Sequence, residues 1–197
     1  VWLASSTHKG EDGIIGQAHV ALRKALPDLL TIIVPRHPDR ATGIAQELDA
    51  LGLKCELRCA TPVPSPECTV YIADTIGELG TFYALSPVAF IGGSLIPHGG
   101  QNPIEAVRHG SAVLTGPHTH NFVDAYAALT KADGAAVVSN ADELAAAALR
   151  LLRDEAARKA ALAGAEAAVQ SLSGALEKTI AALQPYLTSG KVAARAD

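Results

Sequence analysis

The sequence predicts an α/β fold in which an open parallel sheet carries helices on both faces. Short apolar runs of strand length alternate with segments of helical period along the chain, which is the pattern of repeated βα units. The runs are rich in Val and Ile and lack polar alternation, as expected for strands that are covered on both sides. A chain of 197 residues is long enough for one Rossmann-like domain of this kind.

The apolar runs predict strands at residues 1–5, 30–34, 54–58, 69–73, 88–91, 112–115 and 135–138. Helices are expected between them, because apolar residues such as Ile15, Ala18 and Leu22 recur on one helical face. We expect a further helix after Ser139, which precedes Asp142 at the spacing of a capping box.

The last helix is predicted from an apolar stripe formed by Leu172, Leu176, Ile180, Leu183 and Leu187. Pro185 is expected to end or bend this helix, because a proline inside a helix removes a hydrogen bond and clashes with the preceding turn. The predicted domain therefore covers residues 1–187, and residues 188–197 are predicted to form a disordered or frayed tail.

Composition and charge narrow the class of protein. The chain has 16 Lys and Arg against 20 Asp and Glu, a net charge of −4 without a basic tract, which argues against nucleic acid or anionic lipid as the main partner. Three cysteines without metal-site spacing favour a reducing compartment. Glycines and prolines interrupt the uncharged residues 79–104, so no membrane span is predicted there. Because the chain contains no Met, we expect it to be a piece of a longer protein.

Ligands of open parallel sheets bind outside the carboxyl ends of the strands, so the turns that follow the strands form the candidate site. After the first strand, Ser6, Thr7 and Glu11 offer hydroxyls and a carboxylate, although the same residues would serve an ordinary helix cap. After the second strand, Arg36 lies between two prolines and offers a planar pair of donors that suits a phosphate or a carboxylate.

Two further turns combine glycines with polar side chains. In the first, Gly77 permits a tight bend and Glu78 begins the following helix. The second contains two Gly-Gly pairs, whose bare N–H groups would form a cradle for an anion. Asn102 is placed to cap the next helix, with Pro103 at its first position. Glu105 then lies in the first turn of that helix, where its carboxylate can accept hydrogen bonds from the hydroxyls of a ribose.

Other chemistries lack support in the sequence. His118 and His120 form an isolated H-x-H pair in a loop, which is more typical of polar loop surface than of a metal site. The sequence contains no Ser/His/Asp triad, Walker loop or zinc finger. No G-x-G-x-x-G follows the first strand, which removes the main support for a dinucleotide-binding oxidoreductase. We predict neither a metal nor a cofactor.

Taken together, these turns resemble a known family. The segments that carry the resemblance are WLASSTH (residues 2–8), PRHP (35–38), GEL (77–79), GGSL (92–95), GGQNPIE (99–105), GPH (116–118) and NF (121–122). They follow one another as in the bacterial 3-deoxy-D-manno-octulosonic acid (Kdo) transferases, and the resemblance extends from residue 1 to about residue 187. Two positions depart from the family pattern: Gln101, where His is usual, and Lys9, where Glu is common.

The resemblance implies the C-terminal half of a GT-B glycosyltransferase, the domain that binds the donor CMP-Kdo. Such an enzyme transfers Kdo to a lipid A precursor in lipopolysaccharide biosynthesis, with inversion at the anomeric carbon, at the cytoplasmic face of the bacterial inner membrane. The resemblance also implies that the catalytic base, the acceptor site and the membrane anchor belong to an N-terminal domain. We therefore expect this chain to be soluble, to bind CMP weakly and to be inactive by itself.

The residues that the resemblance implies for CMP-Kdo binding are Pro35, Arg36, His37, Ile76, Gly77, Glu78, Gly93, Ser94, Asn102, Pro103, Ile104 and Glu105, with Ser6, Thr7 and Glu11 as further candidates. Arg36 is expected to hold the phosphate or the sugar acid, and Gly93 and Ser94 are expected to approach the phosphate. The turn at residues 76–78 would border the cytidine, and Glu105 would bind the ribose.

Two other functions are compatible with the sequence. The same helix start would serve any ribose, so a transferase that uses a UDP- or GDP-sugar would share the fold and differ in base recognition. The second is a non-catalytic nucleotide-binding module, in which the apolar stripe of the last helix would bind a partner instead of joining the core.

Overall fold

In the computed structural model, which describes residues 1–172 and 174–190, a parallel sheet forms the centre of the domain. Within these residues its seven strands are β1 (Trp2–Thr7), β2 (Thr31–Pro35), β3 (Cys55–Leu57), β4 (Val70–Ile72), β5 (Val88–Ile91), β6 (Ala112–Thr115) and β7 (Ala135–Val137). Every predicted strand is confirmed, and the ends differ by at most two residues.

The strand order places β1 in the middle of the sheet. The order is β3-β4-β2-β1-β5-β6-β7, with β2, β4 and β3 on one side of β1 and β5, β6 and β7 on the other. The direction changes between β1 and β5, which pair in parallel with Ala4 beside Phe90. The loops that leave β1 and β5 therefore diverge and open a crevice, which is where open α/β sheets bind their ligands.

Helices cover both faces of the sheet, as predicted. In the described part of the chain they are α1 (Asp12–Ala25), α2 (Ala41–Asp49), α3 (Leu79–Leu85), α4 (Ile104–Arg108), α5 (Val123–Lys131), α6 (Ala141–Arg153), α7 (Glu155–Leu172) and α8 (Ala175–Gly190). The core that contains Trp2 and Ala4 packs against α1, α2 and α6, whereas the core that contains Leu3 packs against α3, α4, α5 and α7. Successive residues of β1 thus enter opposite cores, which explains the absence of polar alternation.

A buried chain of hydrogen bonds joins β1, β2 and α1. The indole N–H of Trp2 donates to Oγ1 of Thr31 at 2.5 Å, and this oxygen lies 2.7 Å from Nδ1 of His19. All of these side chains are completely buried. Burial, followed by the positive charge of Arg23, lowers the pKa of His19 to about 4. The network is therefore uncharged at neutral pH.

The helix α6 begins with a capping box one residue later than the sequence predicts. The side-chain oxygen of Asn140 accepts the backbone N–H of Glu143 at 2.9 Å. The carboxylate of Glu143 in turn accepts the N–H of Ser139 at 2.8 Å. The predicted pair of Ser139 and Asp142 is thus replaced by Asn140 and Glu143, because Asn140 has the extended backbone that a cap needs.

The final helix α8 passes through Pro185 and continues to Gly190, so it does not end at the proline. In its predicted apolar stripe, Ile180 and Leu183 are 53% and 49% exposed. The side chains at positions 176 and 187, and residues 191–197 of the predicted tail, lie outside the described residues. Among the helices that are described, none is long and apolar enough to cross a membrane.

Candidate functional site

The turns that follow β1, β2 and β4 meet at one cavity at the carboxyl edge of the sheet. This cavity has a volume of about 180 Å³ and is lined by Ser6, Val34, Pro35, Arg36, Pro38, Thr75, Ile76 and Leu79. Predicted site residues from three separate turns are thus brought together, because parallel strands present their carboxyl ends at one edge. We call the cavity and the adjoining loops of β1 and β5 the edge crevice.

Arg36 contributes a free positive charge to the edge crevice. Pro35 is buried at the end of β2, and the backbone N–H of Arg36 donates to the carbonyl oxygen of Thr7 at 3.0 Å. The Arg36 side chain is exposed, and its guanidinium makes no hydrogen bond or ion pair within the described residues. A planar guanidinium on a fixed backbone is suited to a phosphate or a carboxylate.

The turn after β4 presents an apolar side chain and a carboxylate that is already engaged. Ile76 is 89% exposed, and Gly77 has a φ of +91°, which glycine adopts without strain. The carboxylate of Glu78 accepts from the guanidinium of Arg58 at 2.9 Å and from the hydroxyl of Thr75. These donors lower the pKa of Glu78, with Arg58 the larger cause. Glu78 therefore shapes the turn, and Ile76 offers the free surface.

The start of α4 leaves a carboxylate without a partner. The side-chain oxygen of Asn102 accepts the N–H of Ile104 at 3.0 Å as predicted for a cap, but α4 begins at Ile104, one residue later than expected. Pro103 is buried and has helical backbone angles, with φ −84° and ψ −15°. Glu105 is exposed in the first turn, and across residues 1–172 and 174–190 no hydrogen bond or ion pair involves its carboxylate. This group is free to accept hydrogen bonds from vicinal hydroxyls.

The glycine-rich turn after β5 forms a cradle of N–H groups for an anion, and the carboxylate of Glu11 fills this cradle. The N–H groups of Gly93, Ser94 and Leu95 donate to the carboxylate of Glu11 at 2.7, 3.0 and 3.0 Å. The N–H of His8 donates to the same carboxylate at 2.9 Å. Glu11 is completely buried. This corrects the expectation that Gly93 and Ser94 present free N–H groups to a phosphate.

Two predicted hydroxyls are also used within the fold. Thr7 is completely buried and donates to Asp12 at 2.8 Å. The Ser94 hydroxyl donates to the carbonyl oxygen of Ile91 at 2.5 Å and accepts the N–H of Gly116 at 2.7 Å. The side chains of Thr7 and Ser94 therefore hold turns in place, and their expected contact with a ligand stays a prediction.

A histidine cluster lies between the cradle and the cavity. The ring of His8 lies 3.7 Å from that of His98 and 6.1 Å from that of His37, and its Nε2 is 3.1 Å from Nε2 of Gln101. Burial, followed by the charge of His98, lowers the pKa of His8 to about 4. The His8 ring is therefore uncharged at neutral pH. His8 and His98 were not predicted, because only the fold brings their separate turns together. Within the described residues, no cluster of His, Cys, Asp and Glu forms a metal site.

Comparisons with known proteins identify relatives over most of the chain. No family model matches. The chain is 39% identical over 189 residues to the 3-deoxy-D-manno-octulosonic acid transferase of Haemophilus influenzae, covering 95% of this chain and 44% of that protein. It is 39% identical over 187 residues to the protein of the same name from Bordetella pertussis, with coverages of 93% and 44%. The chain thus spans less than half the length of these curated relatives.

Solved structures show the same architecture. The C-terminal CMP-Kdo binding domain of WaaA from Acinetobacter baumannii superposes with a TM-score of 0.81 at 30% identity, covering 85% of this chain and 88% of that chain. The C-terminal domain of a glycosyl transferase group 1 family protein from Francisella tularensis superposes with a TM-score of 0.58 at 14% identity, covering 86% and 85%. The first likeness confirms the predicted fold class, the C-terminal half of a GT-B glycosyltransferase, and the second concerns the fold alone.

Proposed function

Because the chain belongs to the 3-deoxy-D-manno-octulosonic acid transferase family, we propose that it is the donor-binding domain of an inverting glycosyltransferase that transfers Kdo from CMP-Kdo. The observation that carries this proposal is a pair of free, opposite charges at the carboxyl edge of the sheet. The guanidinium of Arg36 and the carboxylate of Glu105 are exposed, and neither has a partner among the described residues. A nucleotide donor uses both, since it offers a phosphate to Arg36 and ribose hydroxyls to Glu105.

The chemistry of the donor fits the electrostatics of the crevice. Transfer breaks the bond between the anomeric carbon of Kdo and a phosphate oxygen, and the departing CMP gains charge that Arg36 stabilises. Kdo carries its own carboxylate, so the donor brings a second anion to the crevice that holds the free guanidinium of Arg36. The exposed side chain of Ile76 offers an apolar surface to the face of the pyrimidine.

The acceptor and the proton transfer belong, in this proposal, to a part of the protein outside this chain. Inverting transfer needs a general base that takes the proton of the acceptor hydroxyl while the donor bond breaks. The Acinetobacter relative is named as a C-terminal domain, which agrees with a base and a lipid A precursor site in an N-terminal domain. The chain alone would bind CMP weakly and transfer no sugar, and the whole enzyme would act at the cytoplasmic face of the inner membrane.

Titration calorimetry of the chain with CMP, UMP and UDP tests this function. CMP is expected to bind more tightly than UMP, and Glu105→Ala is expected to weaken CMP binding about tenfold, because the ribose hydroxyls lose a charged acceptor. Glu166→Ala is the matched control, because it removes an exposed carboxylate from α7, away from the crevice. Tighter binding of UMP or UDP than of CMP would overturn the Kdo-donor assignment and leave the fold in place.

A further inference from the structure

The turn after β5 is a complete anion site that the chain occupies with its own side chain. Consecutive N–H groups of Gly93, Ser94 and Leu95 converge on one point, which is the geometry by which backbone nests bind phosphate. Both carboxylate oxygens of Glu11 are used, since Oε1 accepts from Ser94 and Leu95 and Oε2 accepts from Gly93 and His8. Because Glu11 is completely buried, solvent does not weaken these contacts.

This cradle adjoins the edge crevice. The rings of His8 and His98 lie over Gly93, where an added Cβ would come within 3.3 and 3.2 Å of them. The ring of His8 also faces that of His37, which follows Arg36 in the turn after β2. A phosphate chain longer than one unit, extending along the crevice from Arg36, would therefore meet the rings of His8 and His98 and the Glu11 carboxylate beneath them.

We propose that Glu11 determines how many phosphate groups the donor site accepts: its carboxylate fills the anion cradle and excludes the second phosphate of a nucleoside diphosphate. This inference rests on the proposed function, because it takes the crevice to be the donor-nucleotide site. Glu11 excludes the phosphate by volume, since it fills the cradle, and by charge, since anions in contact repel each other. A nucleoside monophosphate has its single phosphate on Arg36 and remains accepted.

The substitution Glu11→Ala empties the cradle, and calorimetry with CMP and CDP measures the consequence. The unsubstituted chain is expected to bind CMP about tenfold more tightly than CDP, and Glu11→Ala is expected to remove most of this difference through tighter CDP binding. Millimolar inorganic phosphate is expected to raise the Tm of Glu11→Ala more than that of the unsubstituted chain, because phosphate enters the vacated cradle. A carboxylate that only braced the loops would produce neither effect.

Two variants keep the test decisive. Glu56→Ala is the matched control, since Glu56 also accepts a backbone N–H, from Ser65 at 2.9 Å, but lies on the edge strand β3. Glu11→Gln keeps the volume and removes the charge, so it remains informative if Glu11→Ala does not fold, and it is expected to reduce discrimination against CDP less strongly.

The outcomes separate this inference from the proposed function. Unchanged CDP-to-CMP ratios in both Glu11 variants, or equal responses of Tm to phosphate, would overturn the role of Glu11. A preference of the unsubstituted chain for UMP over CMP would overturn the donor assignment alone, and UMP and UDP would then replace CMP and CDP in the test of Glu11. If neither nucleotide binds, the response of Tm to phosphate decides whether the vacated cradle takes an anion.

Discussion

The glycine-rich turn after β5, residues 92–95, and the turn that begins α4, residues 102–105, lie at the same edge of the sheet but differ in how their polar groups are satisfied. In the first, which we call the closed turn, backbone N–H groups donate to Glu11, a residue 82 positions away from Gly93 in sequence. In the second, the open turn, Glu105 is exposed and has no partner within the described residues. Groups that are satisfied inside the chain hold the fold, and groups that are left free are the ones available to a ligand.

The sharpest test of this comparison replaces the carboxylate in each turn. Glu11→Ala is expected to lower the free energy of unfolding by about 4 kcal/mol, because several buried N–H groups lose a charged acceptor. Glu105→Ala is expected to change it by less than about 0.5 kcal/mol, since that carboxylate is exposed. Urea unfolding of the two variants beside the unsubstituted chain measures both values. Equal losses of stability would remove the distinction between the closed and the open turn.

Glycines allow a second test, with a smaller effect. A Cβ at Gly92 would lie 2.6 Å from the carbonyl oxygen of Ser6 and 2.7 Å from Cα of Thr7, so Gly92→Ala should cost about 3 kcal/mol as β1 and the closed turn move apart. A Cβ at Gly77 meets no atom of the described residues within 4 Å, so Gly77→Ala should cost only the strain of its positive φ, about 1 kcal/mol. Thermal unfolding ranks the two, and a reversed order would contradict the assignment of Gly92 to a close backbone contact.

The sheet and the open turn could be predicted from sequence because their signals are local. Apolar runs predict the strands, and Asn102 followed by Pro103 predicts a helix start, without information from distant parts of the chain. The occupant of the closed turn could not be predicted, because Glu11 reaches it from another βα loop. Sequence places both Glu11 and Glu105 in turns that follow strands, and only the tertiary structure shows that Glu11 is buried and Glu105 is free.

A buried histidine makes the stability of the fold depend on pH, with an expected change of about 2 kcal/mol in the free energy of unfolding. The pKa of buried His19 is about 4 in the folded chain, against about 6.5 when unfolded, so the unfolded state binds more protons between these values. Stability should therefore be nearly constant above about pH 7 and fall by about 2 kcal/mol between pH 7 and pH 5 through this residue.

His19→Gln should reduce that slope, because it removes the buried ring that takes up a proton on unfolding. Urea unfolding at pH 7 and pH 5 gives the slopes. If the slope of His19→Gln equals that of the unsubstituted chain, proton uptake by this buried network does not contribute to acid sensitivity.

The smallest expected change in stability concerns the ion pair between Arg58 and Glu78, which lies beside the turn that contains Ile76. The N–O distance of this pair is 2.9 Å and both side chains are partly exposed, so Arg58→Ala should lower Tm by no more than about 1 °C. Lys159→Ala, which removes the surface pair with Glu155, is the control and should lower Tm by a similar amount. Only Arg58→Ala should weaken CMP binding, by about threefold, because it leaves the Glu78 carboxylate unneutralised beside an anionic nucleotide. A fall in Tm of about 5 °C or more with unchanged CMP binding would show that this ion pair stabilises the fold, as Glu11 does, and does not contribute to nucleotide binding.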